Sequence, residues 1–155
     1  MAFQDQFVEA ANALGCDLAA EVAGTFGRVC LRVSGTSMVP AIRPGDLISV
    51  ERARAGEISP GEIVVFAWEG RLIAHRVVAR TGSPDEGYLV TRGDRTRRND
   101  ALVSSAELIG RVARIERGGS RVRARSRLNV AEQVICHVLR FSDRATYLYL
   151  RLVAL

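Results

Sequence analysis

Ser37 stands in the run SGTSMVPAIRPGDLISV, whose residue types describe a sharp corner between two strands. A strand is expected to end at Ser34, Gly35 has no Cβ where the chain must turn, and Pro40 stiffens the exit. Met38 is expected to point into the core, leaving the Ser37 hydroxyl presented at the corner with backbone amides exposed beside it. Such a corner could carry out acyl transfer, the hydroxyl attacking a carbonyl and the amides receiving the oxyanion that develops. The same residues would also describe a serine in an ordinary turn. The cations of the chain limit which base could serve it. All 22 basic side chains are arginine and none is lysine, and arginine stays protonated throughout the useful pH range.

The elements around this corner follow from hydrophobic spacing. Phe3, Phe7, Ala10, Ala11, Leu14, Leu18 and Val22 recur at helical intervals, interrupted at Gly15, and predict an amphipathic helix or a broken pair. After Gly27 come RVCLRV, DLISVER, EIVVFAW, RLIAHRVVAR, GYLVTR, ELIGRVARIER and RVRARS, short runs rich in Val and Ile that are separated by Gly, Pro or Asp. They predict a mainly β domain, with EIVVFAWEGRLIAHRVVAR a hairpin turning at Glu69 and Gly70. Asn129 with Glu132 has the pattern of a capping box, opening a helix with Val130, Val134, Val138 and Phe141 on one face. ATYLYLRLVAL then reads as helix or strand, placed to pack on the sheet, seal a homodimer or lie against a bilayer surface. The expected division is a helical segment at 1–26, a β domain at 27–127 and a helical segment at 128–155.

Composition narrows the function classes. With 155 residues, 48% apolar and 25% charged, the chain suits one globular domain. Its net charge is +5, and the excess is concentrated between Arg92 and Arg127, where eleven arginines face four acids. That balance suits an anionic membrane surface as well as simple solubility, while the few aromatics among the arginines argue against a base-stacking, nucleic-acid surface. Cys16, Cys30 and Cys136 are odd in number and set among apolar residues, which fits reduced thiols and gives no support to a disulfide framework or a metal site. The segment MAFQDQFVEAANALG lacks a basic flank, and no apolar run approaches the roughly 20 residues that span a bilayer. A cytoplasmic chain, at most peripheral to a membrane and needing no cofactor, is expected.

SGTSMVP followed by IRPGD resembles the nucleophile segment of type I signal peptidases and the self-cleaving LexA-like repressors, with Ser37 at the catalytic serine. GEIVVF, HRVV, TRGD with a further aspartate, and LIGRV follow in the order of that superfamily, from about Arg28 to Arg117. The resemblance implies the signal peptidase and LexA-like β fold and a serine peptidase acting on a peptide or precursor protein. Most such proteins pair serine with lysine, which this chain cannot do. His75 occupies the lysine's position, and HRVV there is similar to the archaeal and endoplasmic reticulum signal peptidases. An imidazole with a pKa of about 6.5 can accept the serine proton near neutral pH, although a histidine on a half-buried strand could equally be structural.

The same branch implies an aspartate partner for the base, and TRGDRTRRND offers Asp94 and Asp100. Asp100 is expected to orient His75, with Asp94 supporting the site or its loop, while His137 lies outside every matching segment and is expected to be structural. Bacterial signal peptidases place an oxyanion-hole serine two positions before the nucleophile. That position is Gly35 here, which leaves the Ser37 amide with Ser34 or Thr36 as donors. Members of the histidine branch carry a transmembrane anchor that this sequence does not display. Two other readings remain. One is a LexA-like protein that cleaves itself at Ala23–Gly24, and the other is an inactive binding module using its arginine-rich surface.

Overall fold

Short apolar strands must pair before they can be buried, and the eight strands of the described residues join one antiparallel sheet. The structure, a computed structural model, describes residues 2–83 and 87–153, with side chains from Leu14 onward. The strands are β1 (Arg28–Arg32), β2 (Leu47–Glu51), β3 (Ile63–Trp68), β4 (Arg71–Thr81), β5 (Tyr88–Arg92), β6 (Leu102–Val103), β7 (Leu108–Arg117) and β8 (Ser120–Val122). Their order across the sheet is β1-β2-β7-β3-β4-β5-β6, with β8 folded back on β7. The fold is mainly β, with helix α1 (Ala2–Phe26) before the sheet and α2 (Val130–Leu139) and α3 (Asp143–Val153) after it.

Strand β3 explains where the core sits. Ile63 and Val65 join Met38, Ile42, Ile48 and Ile115 on one side, whereas Val64 and Phe66 join Ile58, Val77, Leu89 and Val103 on the other. A strand covered on both faces has no polar alternation, hence the unbroken run IVVF. The hairpin between β3 and β4 turns where expected, Glu69 at φ 48° and Gly70 at φ 69°, the left-handed pair that matches strand twist in a two-residue turn. Asn129 caps α2, its side chain accepting from the Glu132 amide at 2.8 Å while Glu132 accepts from the Asn129 amide at 2.8 Å.

Several expectations change. Helix α1 runs through Gly15 without a break. It turns the small residues Cys16, Ala19 and Ala23 inward, with Leu14 and Leu18 outward, so the helix can approach the sheet closely. The Phe3, Phe7, Ala10 and Ala11 part of the expected stripe lies outside the described side chains. Strand β1 ends at Arg32 rather than Ser34, although Val33 still exchanges backbone bonds with Gly45 and Asp46. RVRARS is a strand only as far as Val122, β6 is an added strand of two residues, and the final apolar run is helical. No helix among the described residues is long and apolar enough to cross a membrane.

Gly110 marks a backbone crossing that tolerates no side chain. A Cβ there would meet the Glu51 carbonyl, lying 2.7 Å from its carbon, where β7 passes the end of β2. Gly110→Ala should therefore destabilise the fold by roughly 1–3 kcal/mol, the cost of overpacking. Urea unfolding measures it, and an unchanged midpoint would contradict this account of the crossing.

Candidate active site

The corner bearing Ser37 is built from buried apolar residues and one carboxylate. Met38, Val39 and Ile42 are buried, and a turn closes as the Val39 amide donates to the Thr36 carbonyl at 3.2 Å and the Ile42 amide to Met38 at 2.9 Å. Asp46, the aspartate of IRPGD, is itself buried. It accepts the Arg43 amide at 2.8 Å and both prongs of Arg117 at 2.9 and 2.7 Å. Arg117 also reaches the Ala41 carbonyl at 3.1 Å, so the far end of β7 grips the corner from behind. A two-pronged guanidinium fixes direction as well as distance, which a lysine ammonium could not.

Strand β4 supplies His75, which is 7% exposed and packs edge-to-face with Phe66 at a centroid distance of 6.2 Å. Its Nε2 lies 2.9 Å from Ser37 Oγ, and its Nδ1 lies 2.6 Å from Asp100 Oδ2. With Nδ1 protonated, the imidazole donates to the carboxylate and accepts from the serine hydroxyl. The Thr91 hydroxyl donates to the same Asp100 oxygen at 2.7 Å, and the Asp100 amide returns to the Thr91 carbonyl at 2.8 Å. These bonds close the loop that follows β5 and bring Asp100 back beside the strand.

Within that loop the two aspartates part company. No hydrogen bond joins the Asp94 carboxylate to His75. Both its oxygens take Arg76, Nε and Nη2 each at 2.7 Å, and Arg76 Nη1 also donates to the carbonyls of Gly61 and Arg125. The alternation of β4 makes this division of labour, since neighbours on a strand point to opposite faces. The Arg95 amide donates to the Ser37 carbonyl at 2.8 Å, and a Cβ on Gly93 would stand 3.0 Å from both His75 Nε2 and the Ser37 carbonyl oxygen. Thr91, Gly93 and Arg76 thus belong to the site and were not singled out from sequence. The legible signal was the dipeptide His75-Arg76 facing two aspartates on one loop.

Other candidates lie further off. His137 is on α2 with its ring against Phe141, at a centroid distance of 5.2 Å. Thr36 is engaged through its carbonyl in the turn, while Ser34 and Gly35 line a cavity of about 490 Å³ that opens on Ser37 and His75. The cavity wall is largely apolar, formed by Leu31, Val33, Met38, Val65 and Leu72. Among the described residues the Ser37 amide has no hydrogen-bond acceptor. Ala23 is buried, and the Ala23–Gly24 bond lies within helix α1.

Ser37 in a turn, His75 on β4 and Asp100 in a loop stand in hydrogen-bonded series, a geometry that serine hydrolases also use. The Peptidase S24-like family model matches residues 4–113, and the chain belongs to that family. It is also similar to the signal peptidase complex catalytic subunit SEC11 of Metarhizium acridum, 40% identical over 67 residues, or 41% of this chain and 39% of that relative. The sec11 subunit of Neurospora crassa is 43% identical over 61 residues, 37% of this chain and 36% of the relative. The chain thus matches less than two-fifths of the length of these relatives. The likeness to the superfamily, on the side of the signal peptidase complex subunits, agrees with what SGTSMVP and HRVV imply.

Cys136 borders the site without joining its chemistry. Its thiol donates to the Val39 carbonyl at 3.6 Å; burial foremost and then the Asp94 charge push it up to about 11, with Arg140 and Arg76 pulling the other way. At pH 8 it stays protonated and inert, because the thiolate is the reactive form. Iodoacetamide at that pH should alkylate exposed Cys30 in the folded protein and reach Cys136 only after denaturation. Peptide mass mapping reads the order, and equal labelling of the two in the native state would contradict it.

Proposed function

We propose that this chain is a serine endopeptidase of the signal peptidase type, with Ser37 as nucleophile, His75 as general base and Asp100 as the group that orients the base. The observation that carries the reading is the unbroken series from Ser37 Oγ through His75 to Asp100, with links of 2.9 and 2.6 Å. As Ser37 Oγ attacks the scissile carbonyl carbon, its proton passes to His75 Nε2 and the carbonyl oxygen becomes an oxyanion. The unpaired Ser37 amide is the donor available to receive it, helped by Ser34 or Thr36 at the same corner. Collapse breaks the C–N bond, the imidazolium returns the proton to the leaving amine, and an acyl ester remains on Ser37. Water then attacks that ester, giving its proton to His75, and the acid product leaves with the hydroxyl restored.

Asp100 accepts the Nδ1 proton throughout, holding the tautomer that leaves Nε2 free and steadying the imidazolium. General-base help of this kind contributes about 10²–10⁴-fold, and an oxyanion donor about 10²–10³-fold. Asp94 supports the site through Arg76, fixing the loop rather than the proton. The largely apolar cavity beside Ser37 gives aliphatic side chains of an extended precursor segment a place to be buried, and the signal peptidase resemblance implies small ones such as alanine next to the cleaved bond. Self-cleavage has less support, because the Ala23–Gly24 bond is helical and Ala23 is buried.

A fluorophosphonate probe and cleavage of alanine-containing precursor peptides test this reading together. Ser37→Ala should abolish labelling and cleavage, His75→Ala should do nearly the same, and Asp100→Asn should lower kcat by about 10³–10⁴-fold. Asp94→Asn should act chiefly on stability. Leaving Arg76 without its carboxylate in a buried site costs about 3–5 kcal/mol, read by thermal unfolding. Labelling that persists in both Ser37→Ala and His75→Ala would end the proposal.

A further inference from the structure

Behind the loop that carries Asp94 and Asp100, on the side of α2, lies a second cavity of about 450 Å³. Its walls carry Arg76, Arg92, Arg127 and Arg140, with Asp94 the one acidic residue among them. Arg76 and Arg92 are direct partners across β4 and β5, a like-charge pairing that destabilises a sheet unless an anion covers it. Asp94 covers only half of the problem. Both its oxygens are taken by Arg76, whose remaining donor is spent on the carbonyls of Gly61 and Arg125.

Three guanidiniums are left in excess. Among the described residues no carboxylate lies within ion-pair distance of Arg92, Arg127 or Arg140. Arg140 gives Nη2 to the Asp94 carbonyl at 3.0 Å, yet its Nε is buried with no acceptor at all. An orphaned charged donor in a buried position is costly unless something else satisfies it. Ser126 and Gln133 add neutral donors to the same wall, and His137 adds an imidazole. Cys136, protonated as described, contributes no offsetting negative charge. No Phe, Tyr or Trp lines the cavity, so nothing there would stack a base.

We infer that this cavity is an anion site for a phosphate group, with the guanidiniums of Arg92, Arg127 and Arg140 as its principal donors. Guanidinium forks match phosphate oxygens in pairs, and the volume admits a diphosphate or a lipid headgroup phosphate. The site is separate from Ser37, and the inference does not depend on the peptidase reading.

Calorimetric titration with inorganic diphosphate in chloride buffer tests one source of the phosphate. Sedimentation with vesicles of phosphatidylcholine, alone or with phosphatidylglycerol, tests the other. The discriminating protein is the double variant Arg92→Gln/Arg127→Gln, and the single Arg127→Gln guards against misfolding, since Arg127 is exposed and outside regular structure. The charge-matched control is Arg114→Gln/Arg121→Gln, on exposed positions of β7 and β8 that line a different cavity.

Diphosphate binding that weakens about tenfold or more in the double variant, clearly in the single one and not in the control supports a site for soluble phosphates. Indifference to diphosphate, together with binding to phosphatidylglycerol vesicles that fails in the double variant alone, supports a lipid headgroup. Binding to neither probe, or equal weakening in variant and control, overturns the inference, because net charge would then explain everything.

Discussion

The loop after β5 has to pass within van der Waals contact of both Ser37 and His75, and much of the surrounding structure answers that requirement. Gly93 is where the approach is closest. A Cβ there would stand 3.0 Å from the imidazole, from the Ser37 carbonyl oxygen and from the Thr96 methyl carbon at once. Only glycine leaves room for the chain to lie across the serine–histidine pair and still turn back to deliver Asp100. The Arg95 amide then bonds the Ser37 carbonyl, so the serine corner and the aspartate loop are locked by backbone as well as by side chain.

Holding a loop in that position falls to arginines of unequal strength. Arg76 and Asp94 are 13% and 4% exposed at their side chains, pair with both prongs and have further bonds satisfied, so removing either would strand a buried charge. Arg95 reaches α3 at Asp143 and Thr146, but Asp143 is 92% exposed and a pair of that kind is worth about 0–1 kcal/mol. Arg97 stacks over Phe141 at 4.1 Å, adding a contact of similar size at the surface. The grip therefore comes mainly from β4 beneath the loop. The C-terminal helices add many weak contacts above it, together with the Arg140 bond to the Asp94 carbonyl.

What could be read from sequence followed the range of the interaction that fixes it. The β3–β4 hairpin and the Asn129 capping box are set by residues within a few positions of one another, and both were legible. Strand β6 is only Leu102–Val103, too short for any periodicity, and exists because the aspartate loop returns to β5. Helix α1 showed its apolar spacing, but spacing does not say that Cys16, Ala19 and Ala23 face the sheet in place of the larger Leu14 and Leu18. That choice depends on how closely the helix can approach. At the site, Ser37 and His75 could be nominated from their motifs. The separate stations of Asp94 and Asp100 depend on which face of β4 each meets, and no spacing along one loop encodes that.

The absence of lysine ties these observations together. A lysine base is tuned largely by burial and asks little of its neighbours, whereas a histidine base has a second nitrogen whose proton needs an acceptor. Under the proposed mechanism, exchanging one for the other obliges the protein to bring a carboxylate to Nδ1. That in turn obliges a chain segment to cross the serine corner. A carboxylate loop at such a place is polar and must be pinned there, and in a chain without lysine the pin is arginine, whose planar fork holds a carboxylate best. Arg76 behind the loop and the glycine at its closest approach are then consequences of the base, whereas Arg92 and Arg127 on the α2 side hold no carboxylate of the loop and are not explained by that scaffold.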